Sequence, residues 1–175
     1  MVTPTAPPKE YVSGEKFPLL GYLHELIVEE RAERKPFVVL RQNKLVVTIK
    51  PGLPPGERRA AVRDTLRTWY VRQAEMKLPE QVAFYAPKLG AHPEKAAVID
   101  LDRRWGSCTP SGTIHLNWRL VLAPMWIVDY IAVHELSHLL IPDHSPAFWE
   151  QVRVILSDYE ERREWLRVNG PSLFV

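Results

Sequence analysis

Cysteine is nearly absent from this chain: Cys108 stands alone among 175 residues. That excludes an intramolecular disulfide framework and any metal knot built on several thiolates. Glycine is sparse too, at 8 residues against 16 prolines, so the chain is heavily punctuated. No apolar run approaches the ~20 residues of a membrane-spanning helix, because the stretch 118–131 is broken by Arg119, Pro124 and Asp129. The first ten residues are rich in Pro and Thr and lack the basic-then-apolar order of a signal peptide, so they read as a frayed tail and the cytoplasm is the expected location. There is no P-loop, GxGxxG, EF-hand or CxxC. Ser13-Gly14-Glu15-Lys16 fits S-x-x-K but lacks every companion motif.

What is present is an ordinary globular composition, 46% hydrophobic and 25% charged, with room for one domain. Disorder, collagen and coiled coil are excluded on that basis. The net charge of +2 conceals a split: residues 31–77 carry 12 Lys/Arg against 4 Asp/Glu, and residues 124–175 carry 4 Arg against 8 Asp/Glu. A solvated helix face explains the basic stretch. The other reading is a surface for nucleotide or nucleic acid, since Arg59, Arg63 and Arg67 fall on one helical stripe.

Short β-branched or aromatic segments at 26–30, 37–41 and 45–49 predict strands, the last two joined through Gln42-Asn43-Lys44 as a hairpin. The Pro51 to Gly56 stretch stops regular structure. A helix is expected over 57–78, with Val62, Leu66, Trp69 and Met76 inward, and Pro79 starts a second helical piece to Leu89. Strands follow at 97–101 and, returning, at 113–117. Pro124 opens a helix that runs to about Leu140 and is blocked by Pro142. Ser145-Pro146 caps and opens the next, and 159–168 forms the last.

Within the helix after Pro124 the order His134-Glu135-Leu136-Ser137-His138 fits H-E-x-x-H. Four residues is just over one turn, so both imidazoles share a face and can bind one tetrahedral metal, while the glutamate reaches a water beside it. From the His and Glu content, chance yields the pattern in roughly 2% of such chains. Two further features sharpen it. His144 follows ten residues after His134, beyond a turn, and the helix is otherwise apolar almost all round. Burying two histidines and a glutamate without partners costs several kcal/mol, about 2–7 per polar group, and a metal supplies the partner. The alternative third ligand is a downstream glutamate: Glu150, Glu160, Glu161 or Glu164. Asp129 and Asp143 are candidates to orient the ligand histidines. Cys108 reads as a packing or turn residue rather than a nucleophile.

Arg104-Trp105-Gly106-Ser107-Cys108, Ile114-His115-Leu116-Asn117-Trp118-Arg119-Leu120, His134-Glu135-Leu136-Ser137-His138-Leu139 and His144-Ser145-Pro146-Ala147-Phe148-Trp149 together resemble the YgjP-like metallopeptidase family, related to SprT-like and WLM zinc proteases. The likeness covers about 97–152. It implies a compact single-domain α+β fold, zincin-like, with a small N-terminal antiparallel sheet and an active-site HExxH helix over 19–175, preceded by a flexible tail at 1–18. It also implies one Zn²⁺ on His134, His138 and His144, with Glu135 as catalytic base. The expected function is a zinc-dependent metallopeptidase acting on peptide or protein. Two alternatives stand: a metal-dependent hydrolase of a nucleotide phosphoanhydride, and a nucleic-acid-associated module with structural zinc. An oxyanion donor is expected among His115, Tyr130, Arg104 and Arg119, and strand 113–117 is expected to border the cleft and pair with an extended peptide.

Overall fold

Two tight turns build the N-terminal sheet. Leu20-Gly21 (φ 48° and 94°) and Gln42-Asn43 (φ 48° and 63°) have positive φ at both positions, as a two-residue type I′ hairpin turn requires. They join β1 (Lys16–Leu19) to β2 (Tyr22–Glu30) and β3 (Phe37–Arg41) to β4 (Lys44–Ile49) in the computed structural model, which describes residues 7–173. The sheet order is β1-β2-β4-β3. It is mixed rather than antiparallel: β2 and β4 run parallel, with Leu26 opposite Leu45. β3 acts as the return leg, so β4 comes back along β2 in the same sense and the two most apolar strands sit in the middle. Leu26, Leu45, Val47 and Ile49 are fully buried there.

The stretch expected to be tail is partly structured. β1 begins within 1–18, and Tyr11 is buried with its ring 5.7 Å from that of Phe17. Pro18 obscures the strand in the sequence, yet β1 is an edge strand, where a missing N–H is tolerated. Residues 1–6 lie outside the described residues. Gly21 then docks this sheet on the rest of the fold. A Cβ there would sit 3.3 Å from the Pro124 Cα, and the neighbouring Leu20 N–H donates to the Val121 carbonyl at 2.8 Å.

α1 (Pro55–Leu89) is one helix of 35 residues, not two pieces. Pro79 removes the donor for the Glu75 carbonyl, but Glu75 is on the exposed side where water can replace it. Burial of Leu78 and Val82 on either side of Pro79 holds the helix together. Its buried residues are Val62, Leu66, Tyr70, Ala74, Leu78, Val82 and Ala86, a spacing of four throughout. Each step advances the face by about 40° at 3.6 residues per turn, so the apolar line winds round the helix. The helix thereby packs on β3 and β4 and also on β5 and α2. Met76, expected inward, falls off this line and is 55% exposed.

The second sheet has β7 (Thr113–Asn117) in the centre, parallel to β5 (Lys95–Ile99) and antiparallel to β6 (Gly106–Cys108). The returning partner of β7 is therefore β6, and β5 runs alongside it. A 3-10 turn (Trp118–Leu122) leads into α2 (Met125–His138), followed by α3 (Pro146–Ile155), α4 (Tyr159–Asn169) and a 3-10 turn (Gly170–Leu173). Among the described residues no helix is long and apolar enough to cross a membrane.

Candidate metal centre

α2 is buried on nearly every side, Ile127, Val128, Ile131, Ala132, Val133 and Leu136 being 5% exposed or less. His134 and His138 leave it one turn apart. The chain then turns over Ser137, whose carbonyl accepts from the Leu140 and Ile141 N–H groups, and brings His144 back over them. Nε2 of His144 lies 3.1 Å from Nε2 of His138 and 3.2 Å from Nε2 of His134. In a tetrahedral site with zinc–nitrogen bonds of ~2.0–2.1 Å, ligand nitrogens lie roughly 3.3 Å apart. The three lone pairs thus converge at a spacing a metal ion fits.

The surroundings disfavour charge on two of these rings and seat them by stacking. Burial, reinforced by His138 and His144, pushes the His134 pKa down to about 3. Burial also lowers that of His138, whose Nδ1 lies 3.2 Å from the Ile141 carbonyl, leaving Nε2 to face the centre. α3 supplies the seats: Phe148 stacks on His138 (4.5 Å, 26°) and Trp149 on His144 (5.7 Å, 22°), with Tyr159 stacked behind Trp149. Ser145-Pro146 starts α3 as expected, which is why those rings arrive where they do. Three donors, all imidazole nitrogen, suit zinc better than a hard, oxygen-seeking cation.

Glu135 is 6% exposed, and burial pushes its carboxyl up to about 7 against the pull of Arg104. It rests on β6: a Cβ on Gly106 would lie 2.8 Å from both its Cγ and its Oε1. Gly106 is held in turn by Asn117, whose side chain donates to the Leu101 and Arg104 carbonyls at 2.8 and 2.9 Å and accepts from the Arg119 N–H at 3.0 Å. The loop carrying Arg104 and Trp105 into Gly106 is thereby fixed to the central strand. A cleft of about 540 Å³ opens over His134, Glu135, His138 and His144, walled by Arg104 and β6. A second lobe of about 310 Å³ continues past His134 and Glu135 between Tyr130 and α4.

This arrangement is found in a chain that matches the family described as YgjP-like, metallopeptidase domain, over residues 2–169. The chain belongs to that family. At the family level it is a metal-dependent peptidase, hence a hydrolase, and membership implies a divalent metal. Among solved structures, the metallopeptidase zymogen abylysin of Pyrococcus abyssi is similar at 23% identity and a TM-score of 0.47, over 53% of this chain and 92% of that one. No curated protein matches.

The YgjP-like domain brings some expected residues together and separates others. Among the described residues, the group whose ligand atoms lie within 4.8 Å of one another is His134, His138 and His144, with no glutamate in it. Glu150 and Glu164 pair instead with Arg153 and Arg167. Tyr130 and Arg104 line the cleft. His115 lies on β7 against Ser107, and Arg119 is held by Asp100 over the Trp118 ring. Asp143 accepts from the Ser145 N–H, and Asp129 lies 4.0 Å from Arg162; among the described residues neither hydrogen-bonds a ligand histidine. The strand bordering the cleft is β6, not β7, because β7 is hydrogen-bonded on both sides. The sequence reading missed Gly106 as the bed of Glu135 and Asn117 as the clamp on its loop. Their signal was local: a glycine and an asparagine inside otherwise bulky strand segments.

Proposed function

We propose that the chain hydrolyses peptide bonds with zinc held by His134, His138 and His144 and Glu135 as general base. The observation that carries this reading is the convergence of three imidazole Nε2 atoms beside a buried carboxyl poised near neutral pH, in an open cleft. Zinc, when bound, supplies Lewis acidity that makes a water acidic and polarises the scissile carbonyl. Glu135 accepts the proton of the attacking water and returns it to the departing amine, a task suited to a carboxyl raised toward 7. Tyr130, whose hydroxyl burial pushes up to about 12, stays protonated and lines the lobe beside His134, which supports it as the oxyanion donor in this reading. β6, an edge strand on the cleft wall, offers its free side to an extended substrate. A cytoplasmic setting, where a lone thiol stays reduced, is part of this reading.

The test is elemental analysis of the purified chain together with turnover of an unfolded protein and a nucleotide panel, before and after chelation. Zinc at one ion per chain with chelator-sensitive peptide cleavage is expected. Phosphate release from nucleotides with no peptide cleaved would overturn the peptidase reading.

A further inference from the structure

The two lobes of the cleft share Gly106, His134 and Glu135, so a substrate lying across the centre enters both. The lobe beside α4 is built of Trp105, Tyr130, Ile131 and Leu166, with Arg163 and Arg167 at its wall. The two arginines differ. Arg167 is gripped by both oxygens of Glu164, at 2.8 and 2.6 Å, which offsets its charge. Arg163 has no carboxylate at ion-pair distance among the described residues; its guanidinium lies 4.9 Å over the Trp149 ring, a contact that holds it without neutralising it. Trp149 is the ring stacked on His144, so this cation is anchored one side chain from the centre.

Resting on the peptidase reading, we infer that the α4 lobe is a subsite for a carboxylate, and that Arg163 selects substrates bearing one next to the scissile bond. The lobe holds about 310 Å³, enough for one side chain and its charged end. Its apolar side, formed by Tyr130, Ile131 and Leu166, accepts a short aliphatic stem, and the exposed guanidinium of Arg163 stands at the end of it. An aspartate or glutamate side chain and a free C-terminal carboxylate present the same planar group to the guanidinium fork. A lysine would meet Arg163 unpaired, and a glutamine or amidated terminus would gain no charge-assisted bond.

The experiment uses the zinc-loaded full chain and peptides identical except for Glu, Gln or Lys beside the scissile bond, each with a free or amidated terminus. Glu over Gln isolates a side-chain carboxylate, and free over amidated terminus isolates a terminal one. A preference of about 10- to 100-fold in kcat/KM for one of the two is expected, the scale of a hydrogen bond to a charged group, and it should shrink with added salt. Arg163→Ala should bring the acidic peptide down to its neutral twin, Arg163→Lys should restore part of the preference, and Arg163→Glu should favour the lysine peptide. Equal rates for acidic and neutral peptides, or a preference that survives Arg163→Ala, overturn the subsite. A second readout separates this from failure of the peptidase reading: tryptophan fluorescence of the full chain as purified, titrated with an uncleavable reduced-amide peptide bearing Glu or Gln. Tighter binding of the Glu form that depends on Arg163, in a protein that cleaves no peptide, keeps the subsite and rejects the peptidase.

Discussion

Along α1, the side chains of Arg58, Arg63 and Arg67 end on Glu30, Asp64 and Asp100; along α2, His134, Glu135 and His138 meet no oppositely charged group at ion-pair distance among the described residues. The helices pack against each other, so the difference is not one of place in the fold. Charge on α1 is exposed and answered locally, which adds little to stability and asks nothing of a ligand. Of the polar groups of α2, Glu135 is buried and His134 and His138 are half-buried and aimed at a common point, an arrangement that costs stability until something fills it. Polar residues that serve the fold and those that serve chemistry are separated here by burial and by the partner they lack.

The most severe way to break this contrast is Glu135→Gln. It keeps the shape and removes the base, so peptide hydrolysis should fall by about 10²- to 10⁴-fold while bound zinc stays unchanged on elemental analysis. A matched loss of zinc would make Glu135 a ligand instead. Gly106→Ala comes next. The added methyl has to displace the Glu135 carboxyl from a 2.8 Å approach, and a shift of about 1 Å in a catalytic group costs up to about 10²-fold in rate. Circular dichroism should be unchanged, because the clash falls on a side-chain end and not on the strand.

In the metal-free protein the same carboxyl writes itself into the pH dependence of stability. Glu135 binds its proton with a pKa of about 7 in the fold against an ordinary 4.5, so its contribution is complete below 4.5 and is lost as the pH rises through 7. His134 has the opposite sign: held at about 3 against 6.5, its contribution is complete above 6.5 and is lost as the pH falls toward 3. Comparing metal-free wild type with Glu135→Gln cancels the histidine. The wild type should gain roughly 3 kcal/mol relative to the variant between pH 8 and pH 4.5, at 1.36 kcal/mol per pKa unit, measured by urea unfolding. A flat difference would mean that Glu135 is not desolvated.

The sequence revealed the centre more fully than the frame around it, for a physical reason. His134, Glu135, His138 and His144 lie within eleven residues on a helix and the turn after it, so helical period and proline punctuation suffice to bring them near one another. Gly106 and Asn117 act across elements and acquire a role only when β6 meets α2. The N-terminal sheet failed in a similar way. Hairpin turns are local and the one at Gln42-Asn43 could be read, but the parallel pairing of β2 with β4 is set by which apolar strands claim the centre. Pro79 misled because a proline stops an isolated helix, whereas here Leu78 and Val82 are buried on either side of it.

The mildest change tests the α1 side of the contrast. Arg63 is more than half exposed and bonds to its sequence neighbour Asp64 at 2.9 Å, a pair already close in the unfolded chain. Arg63→Ala should therefore leave the urea midpoint where it is and leave peptide hydrolysis intact, since the residue lies outside both lobes of the cleft. The same variant also addresses the basic stripe. Arg59 pairs with Glu10 at 3.8 Å and Arg67 with Asp100, so the stripe offers little unanswered charge to a polyanion. Binding to duplex DNA should be weak in the wild type and equally weak in Arg63→Ala. A salt-dependent affinity that drops in the variant would show instead that these ion pairs open for phosphate, and that α1 has a ligand as well as α2.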